Sequence, residues 1–209
     1  GKMFYPLMVN VGEGSEDCDY YIGEKGLYDS VHILYSRQPS NNPAVVSAVH
    51  TIGAAYIPVQ EGLVVRIKPV QPLTPEAKNR VVMQRFTGSK KEVVKVEWQG
   101  EYAMAKFREL GNFQLALDET PPEIIPVGFK DSSDVSKAAK LVFTVKDNFD
   151  QFRRFRAELD GKWLCFSNDK GRNFVYVFDE QCLPGAHRLK ISVSDEAGNI
   201  ATRVFTFTR

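Results

Sequence analysis

Between Leu110 and Ile124 the chain changes character within a few residues. Phe113, Leu115 and Leu117 alternate with smaller or polar residues, the pattern of a strand with one buried face. Pro121 and Pro122 then remove two successive backbone donors, so neither a ladder nor a helix can run through them. Ile124 restarts an apolar pattern. The segment predicts the last strand of one β-domain, a short stiff linker and the first strand of another. The domains are thus expected at residues 1–118 and 119–209.

Period-two alternation recurs on both sides of that break. Leu63, Val65 and Ile67 share a face against Arg66 and Lys68, and Val94, Val96 and Trp98 share one against Lys95 and Glu97. In the second half the faces are Leu141/Phe143/Val145, Phe155/Ala157/Leu159, Phe174/Tyr176/Phe178 and Leu189/Ile191/Val193. Asp160-Gly161 is a two-residue hairpin signal, because both central positions of that turn need positive φ. Adjacent Val204 and Phe205 predict a bulge, or burial on both faces, in the last strand. One helical turn is expected at Thr74–Lys78, with Thr74 as cap and Pro75 in first position. The fold class is therefore all-β: two tandem β-sandwiches, the second immunoglobulin-like but without a disulfide between its sheets. Gly12–Tyr28 and Arg37–Val45 read as long surface loops of the first domain.

Charge excludes one class of partner. Residues 1–118 carry 13 Lys and Arg against 13 Asp and Glu, and residues 119–209 carry 14 against 13. Neither half has the basic excess of a nucleic-acid binder. No apolar run is long enough to cross a bilayer. The opening Gly1-Lys2-Met3 reads as the scar of tag removal, so a signal sequence is expected to have been lost from this N-terminus.

Groups able to do chemistry are sparse. Cys18, Cys165 and Cys182 are odd in number and too few for a disulfide framework. Cys165 and Cys182 are open to pairing, although Cys165, between Leu164 and Phe166, reads better as a small hydrophobe in a strand. Cys18 is expected in a loop whose acids keep its thiolate fraction low. His32, His50 and His187 are isolated, and none stands in a zinc-binding spacing. Glu13, Glu16, Asp17 and Asp19 lack the order of a calcium loop and read as a solvated acidic loop. Asp147-Asn148 and Asp195–Asn199 read as turns whose side chains bond their own backbone, with a metal held by their oxygens as the alternative. No catalytic residue, metal ligand or cofactor is expected.

The candidate binding residues are Arg154, Arg156 and Trp163. On a strand Arg154 and Arg156 share the outward face, with Arg153 beside them. The alternatives are a solvated face that blunts edge pairing and guanidinium forks for an anionic glycan or a peptidoglycan carboxylate. Trp98, Tyr102 and Trp163 are the rings whose exposure would favour glycan binding.

Three ordered stretches carry a family resemblance. Ile52-Gly-Ala-Ala-Tyr-Ile-Pro-Val59 is followed by Leu63–Pro69. Then comes Glu109-Leu-Gly-Asn-Phe-Gln-Leu-Ala-Leu-Asp-Glu-Thr-Pro-Pro122. Last are Asp160-Gly-Lys-Trp163, Pro184-Gly-Ala-His187 and Val193-Ser-Asp-Glu-Ala-Gly-Asn199. Together they resemble the β-rich accessory region that follows the catalytic domain in lysostaphin-type (LytM-like) zinc endopeptidases of Gram-negative gut bacteria. The resemblance implies a periplasmic, surface or secreted location. It also implies a non-catalytic scaffolding role, with peptidoglycan or the protein's own catalytic domain as partner. The family's H-x-x-x-D and H-x-H zinc motifs have no counterpart here, so no catalytic residue carries over. The alternative expectation is an adhesin-like or carbohydrate-binding surface protein.

Overall fold

The computed structural model describes residues 1–169 and 172–209, and its regular structure is almost entirely strand. The chain divides into two compact units, Gly1–Asp118 and Glu119–Arg209. Pro121 and Pro122 lie outside any strand.

The first unit contains β1 (Lys2–Phe4), β2 (Asn10–Ser15), β3 (Cys18–Ile22), β4 (Val31–Ile33), β5 (Tyr35–Gln38), β6 (Val49–Ile52) and β7 (Pro58–Ile67). A single helical turn, α1 (Pro75–Lys78), precedes β8 (Val81–Thr87), β9 (Lys90–Lys95), β10 (Glu97–Gln99), β11 (Tyr102–Glu109) and β12 (Gly111–Leu117). Two five-stranded sheets, ordered β10-β11-β7-β3-β2 and β5-β6-β12-β8-β9, share one core, and β1 pairs with β4 beside them. Leu63, Val65 and Ile67 of β7 and Cys18, Tyr20 and Ile22 of β3 line the first sheet; Met83, Phe113 and Leu115 line the second. Phe107 and Phe113 meet edge to face at 5.1 Å between ring centres. Each such buried side chain contributes about 1.5–3 kcal/mol over its exposed state. Thr74 caps α1 as expected, accepting from the Ala77 amide at 3.2 Å.

Two expectations for this unit are corrected. Gly12–Tyr28 is not a long loop: it contains most of β2 and all of β3, paired antiparallel. Nor does β12 have a single buried face. It lies between β6 and β8, and Gln114 and Ala116 are buried along with Phe113 and Leu115. Gln114 donates to Gln84 of β8 at 2.7 Å, so this buried polar pair is satisfied within the sheet.

The second unit contains β13 (Glu123–Val127), β14 (Ser133–Asp134), β15 (Lys140–Lys146), β16 (Phe152–Leu159), β17 (Lys162–Leu164), β18 (Ser167–Asn168), β19 (Asn173–Val177), β20 (Ala186–Asp195) and β21 (Ile200–Thr208). The sheets are β13-β15-β19-β18 and β14-β21-β20-β16-β17. This is an immunoglobulin-type order with a divided first strand, since β13 joins one sheet and β14 runs parallel to β21 in the other. Phe143, Tyr176, Leu189, Ile191 and Phe205 fill the core, where Phe143 and Phe205 lie 5.0 Å apart. Asp160 and Gly161 take φ of 50° and 81° in the β16–β17 hairpin, as their order predicts. The expected irregularity at Val204 is absent. β20 and β21 pair in unbroken register, with Val204 exposed and Phe205 buried.

The bulge in this sheet is in β16. Phe152 pairs with Asp195 and Arg154 with Ser194, leaving Arg153 as the extra residue. Residues three apart on a regular strand face opposite ways. Here the bulge lets both Phe152 and Phe155 reach Phe174, at 5.4 and 3.8 Å.

Candidate functional site

The register of the second unit brings the three candidate residues onto one sheet face. Phe155, Ala157 and Leu159 of β16 point into the core, so Arg154, Arg156 and Glu158 point out. Trp163 on β17 stands opposite Glu158, and its side chain is 61% exposed. On the other side of β16, Ser194 lies opposite Arg154, Ser192 opposite Arg156 and Lys190 opposite Glu158. One row further, β21 adds Ile200, Thr202 and Val204. Arg156 donates to Glu158 at 2.8 Å, and this bond, with Lys190 nearby, holds the Glu158 carboxyl below its ordinary range. Among the described residues, Arg154 and Arg188 make no ion pair. Trp163 also borders a cleft of about 430 Å³, lined in addition by Lys162, Glu180, Leu183 and His187.

The other two rings are committed elsewhere. Trp98 is half-buried, donates to the Lys78 carbonyl at 3.1 Å and carries the Lys78 ammonium 4.7 Å from its ring centre. Tyr102 donates to the Glu16 carbonyl at 2.7 Å, with the Arg66 guanidinium over its ring.

The acidic segment is not a solvated loop. Arg37 forks onto both oxygens of Asp17, at 2.8–3.2 Å, and Arg66 binds both oxygens of Asp19, at 2.6 and 2.7 Å. From Asp17 a hydrogen-bond chain runs inward. Ser15 donates to Asp17 at 2.5 Å, the Tyr35 hydroxyl lies 2.7 Å from Ser15, and His50 Nδ1 lies 2.7 Å from Tyr35. With the Ser15 proton given to Asp17, Tyr35 donates to Ser15 and His50 Nδ1–H donates to Tyr35. That order leaves His50 Nε2, which has no partner among the described residues, as a bare acceptor and not as a stranded N–H. Burial lowers the His50 pKa to about 4, Asp17 opposing and Arg37 reinforcing the shift. Burial likewise pushes Tyr35 up to about 12. For Asp17, burial alone would raise the pKa, but Arg37 and Ser15 outweigh it and hold the carboxyl low. These groups tie β2, β5 and β6 together, and none is tuned to exchange a proton near neutrality.

The cysteine expectations are corrected. Cys18 is fully buried in β3 and not in a loop; burial first, then Asp19 and Asp17, pushes its thiol up. Cys165 is exposed, beyond the end of β17, and is not a core hydrophobe. Cys182 is buried, and all three cysteines are free. The histidines part ways: His32 is exposed on β4, His50 is buried, and His187 bonds Asp160 Oδ2 at 2.7 Å and the Leu183 carbonyl at 2.6 Å. The turn residues behave as expected. Asp147 accepts from the Phe149 amide at 2.9 Å, and Asp195 accepts from the backbone and side chain of Asn199, both at 2.8 Å.

No curated protein matches the chain. Among solved structures, the endo-β-1,4-mannanase from Thermotoga petrophila is similar at 12% identity and a TM-score of 0.37. That likeness covers 44% of this chain and 20% of the mannanase, and it carries no argument about activity. A family described as the Zu5-like domain matches residues 10–118, more than half of the sequence. It takes in the whole Asp17–His50 network and both large sheets of the first unit, and the chain belongs to this Zu5-like domain family.

Proposed function

We propose that this chain is a non-catalytic accessory region of a bacterial cell-envelope protein, periplasmic or surface-located, that serves a peptidoglycan metallopeptidase. The observation that carries the reading is how the titratable side chains of the first unit are spent. Asp17, Asp19, Tyr35 and His50 are consumed in ties between strands, with His50 and Tyr35 moved away from neutrality. A unit organised in this way presents shape and surface. The three ordered sequence stretches supply the link to a peptidase, and successive exposed Leu7, Met8 and Val9 offer it an apolar contact.

The reading has a direct test. Purified chain is incubated with muropeptides and zinc, and the longer gene product is assayed with and without residues 1–209. Expected are no cleavage by the chain alone and altered cleavage by the peptidase when the region is removed. Muropeptide hydrolysis by the chain itself would overturn the proposal.

A further inference from the structure

We propose that the outward face of the β17-β16-β20-β21 sheet is a binding site for an acidic, carboxylate-bearing polysaccharide. The site extends the accessory reading by naming a partner chemistry, and it stands on geometry within the second unit alone.

Three properties of the face point to that ligand. The first is charge. On β16 and β20 the outward charged residues are Arg154, Arg156, Arg188 and Lys190 against Glu158. The unit as a whole holds 14 basic and 13 acidic residues, so this balance is local to the face. Arg154 and Arg156 stand about 6.6 Å apart along the strand. Planar guanidinium forks at that spacing bind successive carboxylates in two-point fashion. Arg156 already bonds a carboxylate on this face, with Nε and Nη2 both on Oε1 of Glu158.

The second property is the ring. Trp163 is exposed on a strand whose next residue, Leu164, is buried. A large exposed aromatic beside guanidinium groups gives a sugar ring an apolar platform while its polar edge stays bonded. The third is the hydroxyl row. Ser192 and Thr202 bond each other at 2.9 Å, with Ser194 beside them, next to Arg156 and Arg154. Such groups donate to and accept from sugar hydroxyls. A lipid surface would call for a continuous apolar patch, whereas exposed Ile200 and Val204 are separated by Thr202 and bordered by Ser192, Ser194 and Lys190. A nucleic acid would call for a wider basic field than one surrounded by near-neutral surface.

Equilibrium binding of the whole chain is measured by calorimetry and affinity electrophoresis. The probes are polygalacturonate, hyaluronan, neutral dextran, single-stranded DNA and phosphatidylglycerol vesicles. Binding to the two uronate polymers is expected, with no binding to dextran and at least tenfold weaker binding to DNA and vesicles. R154A/R156A and W163A are each expected to weaken uronate binding tenfold or more, and raised salt to weaken it further. All three side chains are exposed, so the variants should unfold at the wild-type temperature. If one does not, Arg154→Glu and Lys190→Glu replace it. Absence of uronate binding, binding indifferent to these substitutions, or equal affinity for DNA or vesicles would each overturn the site. None of these results depends on a peptidase, so failure here is separate from failure of the accessory reading.

Discussion

Arg85 donates from both Nε and Nη2 to the Leu110 carbonyl, at 3.0 and 2.7 Å, although its side chain has no exposed surface. Leu110 is the corner at which the chain leaves β11 in one sheet and enters β12 in the other. A buried corner has no ladder partner for its carbonyl, and that need is met by a cation from β8. Nη2 also bonds Glu109 at 2.8 Å. Gly111 completes the corner. At φ 144° it lies where a side chain is strained, and an added Cβ would sit 2.6 Å from Thr87 Oγ1.

Replacing Arg85 with Met should therefore destabilise the first unit by about 3 kcal/mol or more, since it strands a buried carbonyl and removes a charged donor. Arg85→Lys should recover part of the loss. Urea unfolding midpoints, with unchanged slopes, measure both.

Acid should loosen the same unit. His50 titrates near 4 when folded, well below the ordinary value of about 6.5. A depressed folded pKa contributes stability that is complete above the unfolded value and lost as pH falls toward the folded one. Between about pH 6.5 and 4 the loss should reach about 3 kcal/mol, and His50→Phe should flatten it. Nitrogen-15 chemical shifts at neutral pH should show the proton on Nδ1. A proton on Nε2 would reverse the direction assigned to the Tyr35–Ser15–Asp17 chain.

How much of this was legible in the sequence depends on the range of the interaction. Alternation at Leu63–Ile67 and Leu141–Val145, the Asp160-Gly161 turn and the Thr74 cap are local, and they stand as read. Cys18, Tyr20 and Ile22 also alternate, but the acids between and around them resemble a loop. Their partners, Arg37 and Arg66, lie 20 and 47 residues along the chain, beyond any local window. Arg85 is hidden for a related reason. Residues 81–85 are all buried, so no alternation marks Arg85, and nothing near it announces a carbonyl 25 residues away. The shared face of Arg154, Arg156 and Trp163 was half legible. Parity gave the two arginines, whereas Trp163 joins them only through hairpin register.

In the second unit the pH response should have the opposite sign. His187 faces acceptors at both ring nitrogens, so its bonding pattern calls for the imidazolium. Burial works against that charge, but Asp160 and the Leu183 carbonyl outweigh it and raise the pKa. A raised folded pKa contributes stability that is complete below the unfolded value and lost as pH rises through the folded one. Stability should thus fall by about 1 kcal/mol or less above about pH 6.5, because Asp160 is half exposed and water screens the pair. His187→Asn should abolish that slope in thermal melts of the whole chain between pH 5 and 8.

Thiol chemistry should sort the cysteines by position. Native chain treated with iodoacetamide should take one label, at Cys165, with Cys18 and Cys182 reacting only in denaturant. Mass spectrometry of tryptic peptides reads this directly. Native labelling of Cys18 would mean that β3 opens readily.

The bulge at Arg153 has a consequence for how β16 tolerates change in length. Arg153 is a slack link: without it, Phe152 would still face Asp195 and every later residue would keep its present partner on β20. Because Arg153 and Arg154 are the same residue type, loss of either leaves the same chain and the same sidedness. Loss of a residue further along, from Ala157 to Leu159, would instead turn over the residues between the gap and the bulge, sending Arg154 and Arg156 toward the core and Phe155 toward water. One strand thus contains a pair of positions where a residue can be dropped without effect on sidedness and, a few residues on, a stretch where the same deletion would exchange inside for outside.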